Sequence, residues 1–223
     1  MQRLLVPGLS TVAMLAALLF LGGWQVQRGA WKRAVLAEIA VAEALPAVRM
    51  PVAPALFTKV KVEGVLRYDR AGLYGAEGRD IAGRPVMGAQ LLVPLERPGF
   101  APLLVLLGWV PAMPGDGLPR TAVIEGYVRA PDVAGMFSAS DDAAGRRFYT
   151  LDPGAIGLAL GIAGPAPMIL VALGPVALPP LPDPAHTLPR PSNNHLFYAI
   201  TWFGLAAGLV GVFLVYARKV LRS

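Results

Sequence analysis

The sequence predicts an α+β membrane protein in which transmembrane helices near both ends of the chain flank a mainly antiparallel β domain with a short helix. Of 223 residues, 55% are hydrophobic and only 15% are charged. Uncharged stretches run from Leu4 to Trp24 and from Leu196 to Tyr216. Each is long enough to cross a hydrocarbon core, which takes about 20 helical residues. Between them, short alternating runs are separated by glycine and proline clusters, a texture typical of strands and turns.

The first predicted span covers residues 4–24 and follows a short segment, 1–3, that contains Arg3. A basic residue before an apolar run also fits the start of a cleaved signal peptide. However, the run is long for such a peptide, and the residues after Trp24 lack a small-residue cleavage site. An uncleaved anchor is therefore the favoured interpretation.

Residues 25–45 are predicted to continue this helix beyond the membrane. Trp24, Arg28 and Trp31 recur at the spacing of one helical face, the sequence to Leu45 is rich in alanine, and Pro46 is a stop signal. Tryptophans at headgroup level and basic side chains reaching phosphate are typical of an interfacial anchor. On composition alone this face is an anchor to membrane lipids.

Residues 46–174 form the predicted β domain. In "FTKVKVEGVL", valines alternate with charged residues, which indicates a strand with one wet face. "DPGAIGLALG" predicts a short helix with Asp152 as N-cap and Pro153 in its first turn. The further strand-like runs are 72–76, 85–95, 103–110, 122–129, 147–151 and 168–173.

A proline-rich connector, 175–195, leads to the second span, 196–216, and to a basic tail, 217–223. Its proline density excludes helix and central strand and indicates a semi-rigid spacer. Arg218, Lys219 and Arg222 favour a cytoplasmic tail, but basic residues also follow the first span. Charge counting therefore leaves the orientation open.

The residues offer little for catalysis. His186 lies in the connector, and no nucleophile motif accompanies it. Asp141 and Asp142 are adjacent in a polar stretch, whereas an acid/base pair has to face a substrate from two sides. The sequence therefore argues against an enzyme.

Metal carriage by thiolates is excluded, because the chain has no cysteine, and its methionines are scattered singly, which disfavours a copper carrier. The net charge of +6 is concentrated near the span ends, where it matches anionic lipid headgroups. Nucleic acid is not an expected partner.

His195 stands at the start of the second span, in "NNHLFYAITWF". Imidazole is a common axial ligand of haem iron, and aromatic residues such as Trp202 offer an apolar wall beside it. An amphipathic ring at this depth is also a common interfacial anchor. Residue chemistry by itself favours the anchor.

Four elements resemble the surfeit locus protein 1 family of cytochrome oxidase assembly factors. "LGGWQVQRGAWK" is similar to the family's end of the first span, and "KVKVEGVL" to its Val-x-Gly strand. Gly88, Pro94 and Leu95 followed by "LLVLLGWVP" match a third element, although Leu107 stands where the family usually has arginine. "NNHLFYAITWF" is close to the opening of the second span. The elements come in the family's order and bracket nearly the whole chain.

The resemblance implies a multi-pass protein of the cell (inner) membrane, with both termini cytoplasmic and the central domain periplasmic. It implies a role in maturing a haem-copper oxidase, with oxidase subunit I and other assembly factors as partners. Haem a would be bound transiently, with His195 as ligand of its iron, Arg28 paired with a propionate, and Trp24, Gln25 and Trp202 nearby. The rival hypothesis is a scaffold that holds oxidase subunits or assembly factors and never touches haem.

Overall fold

The computed structural model describes residues 2–81, 83–111, 121–136, 138–174 and 182–222. The chain divides into two units. Met1–Ala40 and Arg190–Ser223 form a helix pair, and Val41–Pro189 form a β domain. Part of the predicted connector, 175–181, lies outside the described residues, as does most of "PAMPGDGLPR" (111–120), a glycine- and proline-rich stretch that predicts a turn.

Three α-helices are described: α1 (Gln2–Ala44), α2 (Pro153–Leu160) and α3 (His195–Arg222). The helices α1 and α3 are long and apolar enough to cross a membrane. Only 6% and 11% of their most apolar windows are buried, unlike the core helices of a soluble protein. No break separates the predicted span 4–24 from the predicted helix that follows it, because α1 is continuous.

Within the helix pair, α3 runs antiparallel to α1. Gly8 of α1 lies beside Phe213, and Gly22 lies beside Phe203. A methyl group added at Gly22 would be 2.7 Å from the Phe203 ring, so any larger residue would force the ring to move. The packed face of α1 consists of Leu18, Gly22, Gln25 and Gly29, and that of α3 consists of His195, Ala199, Trp202 and Ala206. Both sets follow the i, i+4, i+7, i+11 spacing of one helical face.

Eight strands form one sheet in the described part of the β domain. They are β1 (Val48–Arg49), β2 (Lys59–Leu66), β3 (Gly72–Ile81), β4 (Arg84–Arg97), β5 (Phe100–Val110), β6 (Thr121–Arg129), β7 (Arg147–Phe148) and β8 (Ile169–Ala172). The sheet order is β1-β2-β6-β8-β5-β4-β3-β7, and β2 also pairs with β4. This extra pairing closes β2, β6, β8, β5 and β4 into a ring, so the central strands form a small barrel.

The sheet is mixed. Pairings β2–β6, β2–β4, β3–β4, β4–β5 and β6–β8 are antiparallel, whereas β1–β2, β3–β7 and β5–β8 are parallel. Alternation of apolar residues predicts strands and their buried faces but carries no information about the partner strand or its direction.

The barrel interior is the core of this unit. It is filled by branched aliphatic side chains such as Leu91, Val105 and Leu107, each with none of its surface exposed. Leu107, where the family's arginine is expected, therefore packs in an apolar interior. The predicted short helix is confirmed as α2, because Asp152 Oδ1 accepts hydrogen bonds from the N–H groups of Gly154 (2.8 Å) and Ala155 (3.2 Å).

The described end of the connector is hydrogen-bonded to the β domain. Asp183 exchanges backbone hydrogen bonds with Trp109 of β5, and Ala185 bridges to Leu173. Gly108 makes this possible, since a side chain there would meet the Asp183 backbone and the residue has a φ of 141°. The proline content of the connector predicts a spacer. The structure shows that this segment is also attached to the barrel wall.

Candidate functional site

His195 is joined to Gln25 across the helix pair. The chain is kept out of helix by prolines up to Pro191, and α3 then begins with a bond from Tyr198 N–H to the carbonyl of Asn194. This places His195 in the first turn, opposite α1. Its Nδ1 lies 2.7 Å from Gln25 Oε1, although 170 positions separate the two residues.

This hydrogen bond assigns the histidine's tautomer. An amide oxygen only accepts, so Nδ1 carries the hydrogen and donates it to Gln25 Oε1. In the neutral ring, the other nitrogen, Nε2, then keeps its lone pair, and no hydrogen bond to Nε2 is formed within the described residues. A ring held at one nitrogen and open at the other is the arrangement of metal-ligating histidines, whose second nitrogen is bonded to an oriented acceptor.

Two further residues fix the local geometry. Asn193 Nδ2 donates to the carbonyl of Gly29, at 3.4 Å. Gly29 lies opposite His195, and a methyl group added at Gly29 would be only 3.2 Å from His195 Cβ. The absence of a side chain therefore lets α3 approach α1 closely at this point. Neither residue is among the site residues predicted from the sequence, although Gly29 stands inside "LGGWQVQRGAWK" and Asn193 inside "NNHLFYAITWF".

Trp24 and Arg28 lie on a different stripe of α1 from Gln25. Each precedes a packed residue by one position, which is a rotation of about 100° around the helix axis. Both side chains are exposed, and the Arg28 guanidinium stacks 4.1 Å from the Trp31 ring centroid. Neither forms a hydrogen bond or ion pair with His195 in the described residues. No described carboxylate pairs with Arg28, so its hydrogen-bond donors are available to an anion.

Trp202 shares the packed face of α3 with His195 and is half-buried. It follows by seven positions, about 10 Å along the axis at 1.5 Å per residue. Leu196, Phe197 and Tyr198 are largely exposed next to His195. Apolar and aromatic side chains therefore follow the histidine along the first turn of α3.

The acidic pair considered for catalysis has structural roles. Asp141 Oδ1 accepts from the N–H groups of Tyr149 (2.6 Å) and Thr150 (3.1 Å). Asp142 Oδ1 accepts from Gly145 N–H at 2.9 Å. His186 is exposed and lies 3.2 Å from a carboxylate oxygen of Asp183. These bonds hold turns, and they do not converge on one cavity.

A polar network that pattern reading missed lies in the β domain. Asp132 accepts from Tyr74 Oη at 3.0 Å and from Leu151 N–H at 3.2 Å, and it pairs with Arg129 at 2.6 Å. Burial alone would raise the pKa of Asp132, but the Leu151 hydrogen bond and the Arg129 charge together hold that pKa below its usual value.

The motifs described above belong to a known family. Residues 12–207, most of the chain, match the SURF1 family. The chain belongs to the SURF1 family. This confirms the resemblance seen in the motifs, two of which meet at the Gln25–His195 hydrogen bond. No curated protein matches the chain.

The family is known for cytochrome oxidase assembly and is not a catalytic family. Its membership, together with the two long apolar helices, indicates a membrane location. The matched region contains residues 12–44 of α1 and 195–207 of α3, so the family assignment covers part of both helices as well as the barrel.

The residues around His195 fit a haem group. They supply one oriented imidazole with an open Nε2, apolar and aromatic surface beside it, and a guanidinium without a carboxylate partner among the described residues. Haem iron accepts imidazole as an axial ligand, and guanidinium groups match carboxylates such as the haem propionates. The described residues contain no cluster of three His, Asp or Glu side chains that would instead suggest a bare metal ion.

Proposed function

We propose that this chain assists the maturation of a haem-copper cytochrome oxidase by holding haem a transiently for delivery to oxidase subunit I. The proposal includes an inner-membrane location, cytoplasmic termini and a periplasmic central domain. The single observation that carries it is the Gln25–His195 hydrogen bond at 2.7 Å, which orients the chain's helix-pair histidine and leaves Nε2 open.

Each residue near the site has a role in this proposal. His195 Nε2 would bind the haem iron, and Gln25 holds the ring through Nδ1. Arg28 would pair with a propionate, while Trp24 and Trp202 would contribute apolar walls. When bound, haem would supply an iron centre to which an imidazole can bind.

A carrier has to release its cargo, so its affinity must be lower than that of the oxidase's own haem sites. Among the described residues of the helix pair, His195 is the sole histidine. A single imidazole gives weaker attachment than two, which suits a transient complex. Apolar helix surfaces keep the macrocycle out of water before transfer.

A second candidate function, an assembly scaffold, is favoured by the opposite face of α3. Gly204, Gly208 and Gly211 recur along one stripe, and nothing lies within 4 Å of a methyl group added at any of them. Small residues at this spacing let another transmembrane helix approach closely. Under this alternative the stripe holds an oxidase subunit and His195 is an anchor.

Complementation of cells that lack this protein separates the two functions. The carrier predicts that His195→Ala lowers the haem a content of the oxidase while subunit I still co-purifies with the chain. His186→Ala, which alters the exposed histidine of the β domain, is the matched control and should behave like wild type. Normal oxidase haem with His195→Ala, together with lost co-purification in Gly208→Leu, would reject the carrier and support the scaffold.

A further inference from the structure

The β domain contains a groove at a gap in the barrel wall. On its side away from β6, strand β2 pairs with β1 at Val60 and Lys61 and with β4 at Val65 and Leu66. Residues 62–64 have no strand partner on that side among the described residues. A groove of about 980 Å³ lies against this stretch, between the segment after β1 and the β4–β5 turn.

The walls of the groove are mainly apolar. Met50 and Met168 pack against the barrel core at its floor. Val52, Val123 and Phe100 line it with side chains that are 92%, 64% and 61% exposed. Exposed apolar side chains grouped around a concave surface are typical of a binding site, and methionine walls adapt to the shape of a ligand.

Arg97 lines this groove and has no carboxylate partner among the described residues. Its Nη1 donates to Met50 Sδ at 3.3 Å, its Nη2 donates to the Ala101 carbonyl at 2.9 Å, and its Nε is buried with no acceptor among the described residues. The neighbouring Glu96 is paired with Arg67 instead, at 2.6 Å. Burial lowers the pKa of Arg97, as expected for a guanidinium without an anionic partner.

The remaining charges of the described lining also favour an anion. Arg49 and Lys61 line the groove with Arg97, against a single carboxylate, Glu63. Lys61 also forms an ion pair with Glu125, with 3.4 Å between its Nζ and a carboxylate oxygen. A partly buried guanidinium beside apolar walls should bind most tightly a ligand that has both a negative charge and an apolar body.

We propose that the groove around Arg97 binds a small amphipathic carboxylate, with the carboxylate on Arg97 and the apolar body against Met50, Met168 and Phe100. The volume lies within the range of small-molecule sites, about 300–1,000 Å³. A peptide strand is disfavoured, because the open edge of β2 offers three residues whereas strands usually pair over about five or six. The same chemistry occurs in a fatty acid and in the propionates of a porphyrin. The lining of the groove contains none of the residues assigned to the haem proposal, and neither source needs an iron ligand in order to bind here.

Calorimetric titration of the full-length protein in a neutral maltoside detergent tests the proposal. Octanoate probes the fatty-acid source, with octanol as its uncharged match. Iron-free protoporphyrin IX probes the porphyrin source, with its dimethyl ester as the match. Because this porphyrin has no iron, His195 cannot ligate it, and any binding through Arg28 of the helix pair is recognised because it persists in Arg97→Met. Titration into detergent alone corrects for partition into micelles.

Binding of either carboxylate at least about tenfold tighter than its uncharged match, with that preference lost in Arg97→Met, supports the proposal and identifies the source. Val123→Glu, which adds a repelling carboxylate to an exposed wall, should weaken binding while leaving the core intact. Val133→Glu, at a 94% exposed position outside the lining, is the matched control. Equal binding of acid and uncharged match for both probes, or no effect of either groove variant, would overturn the proposal.

Discussion

Replacing Gln25 by leucine removes the acceptor that holds His195 while keeping the side chain's size. The bond at stake is 2.7 Å long and joins partly buried groups. Without it, the imidazole is free to rotate and to exchange tautomers, so Nε2 is no longer fixed as the nitrogen with the lone pair. Loss of an outer-shell partner of a ligating histidine typically lowers metal affinity by about 10- to 100-fold. This corresponds to about 1.4–2.7 kcal/mol at 25 °C.

The assay is an absorbance titration of haem into the purified protein in neutral detergent, which gives the dissociation constant for each variant. Gln27→Leu is the matched control, because Gln27 is exposed and lies about 200° around the helix from Gln25. Gln25→Glu retains an acceptor for Nδ1–H and should keep or strengthen haem binding. Equal affinities for Gln25→Leu and Gln27→Leu would refute the role assigned to the hydrogen bond.

The remaining predictions concern stability. Gly22→Leu should lower the stability of the helix pair by about 1–3 kcal/mol through collision with Phe203, whereas Gly23→Leu, where nothing lies within 4 Å, should not; denaturant titration followed by circular dichroism compares them. Asp132→Asn should destabilise the β domain at neutral pH. Because the folded pKa of Asp132 is lowered, its contribution is present above the unfolded pKa of about 3.9 and disappears as the pH falls through the folded pKa. Melting temperatures of both proteins should therefore converge at acid pH, and a constant difference would contradict this. Asp152→Ala should cost about 0.5–2 kcal/mol by removing the α2 cap, measured by the same melts.

Local signals in the sequence predicted most of the individual elements. Three features depend only on neighbours within a few positions: the Asp152 cap, the alternation in β2 and the long apolar runs. Such features can therefore be predicted from the sequence. The third motif, which contains Gly88 and Trp109, is explained by packing between neighbouring strands. Gly88 leaves space for the Trp109 indole, whose Nε1 donates to the Glu77 carbonyl at 3.0 Å.

Contacts between residues that are far apart along the chain could not be predicted from the sequence. Gln25 and His195 were both singled out, but their hydrogen bond joins opposite ends of the chain and required the helix register. The parallel pairing of β5 with β8 likewise depends on a crossover that patterning does not encode. Arg97 had no signal at all, because a guanidinium without a carboxylate is recognised only when its surroundings are known.

The most direct test of the central claim is the visible spectrum of the protein purified from cells that make the oxidase haem. Wild type, His195→Ala and His186→Ala are compared at equal protein concentration. The account predicts a Soret band in wild type and in His186→Ala that is lost in His195→Ala. A band that persists in His195→Ala, or its absence from all three while oxidase subunits still co-purify, would contradict haem ligation at His195.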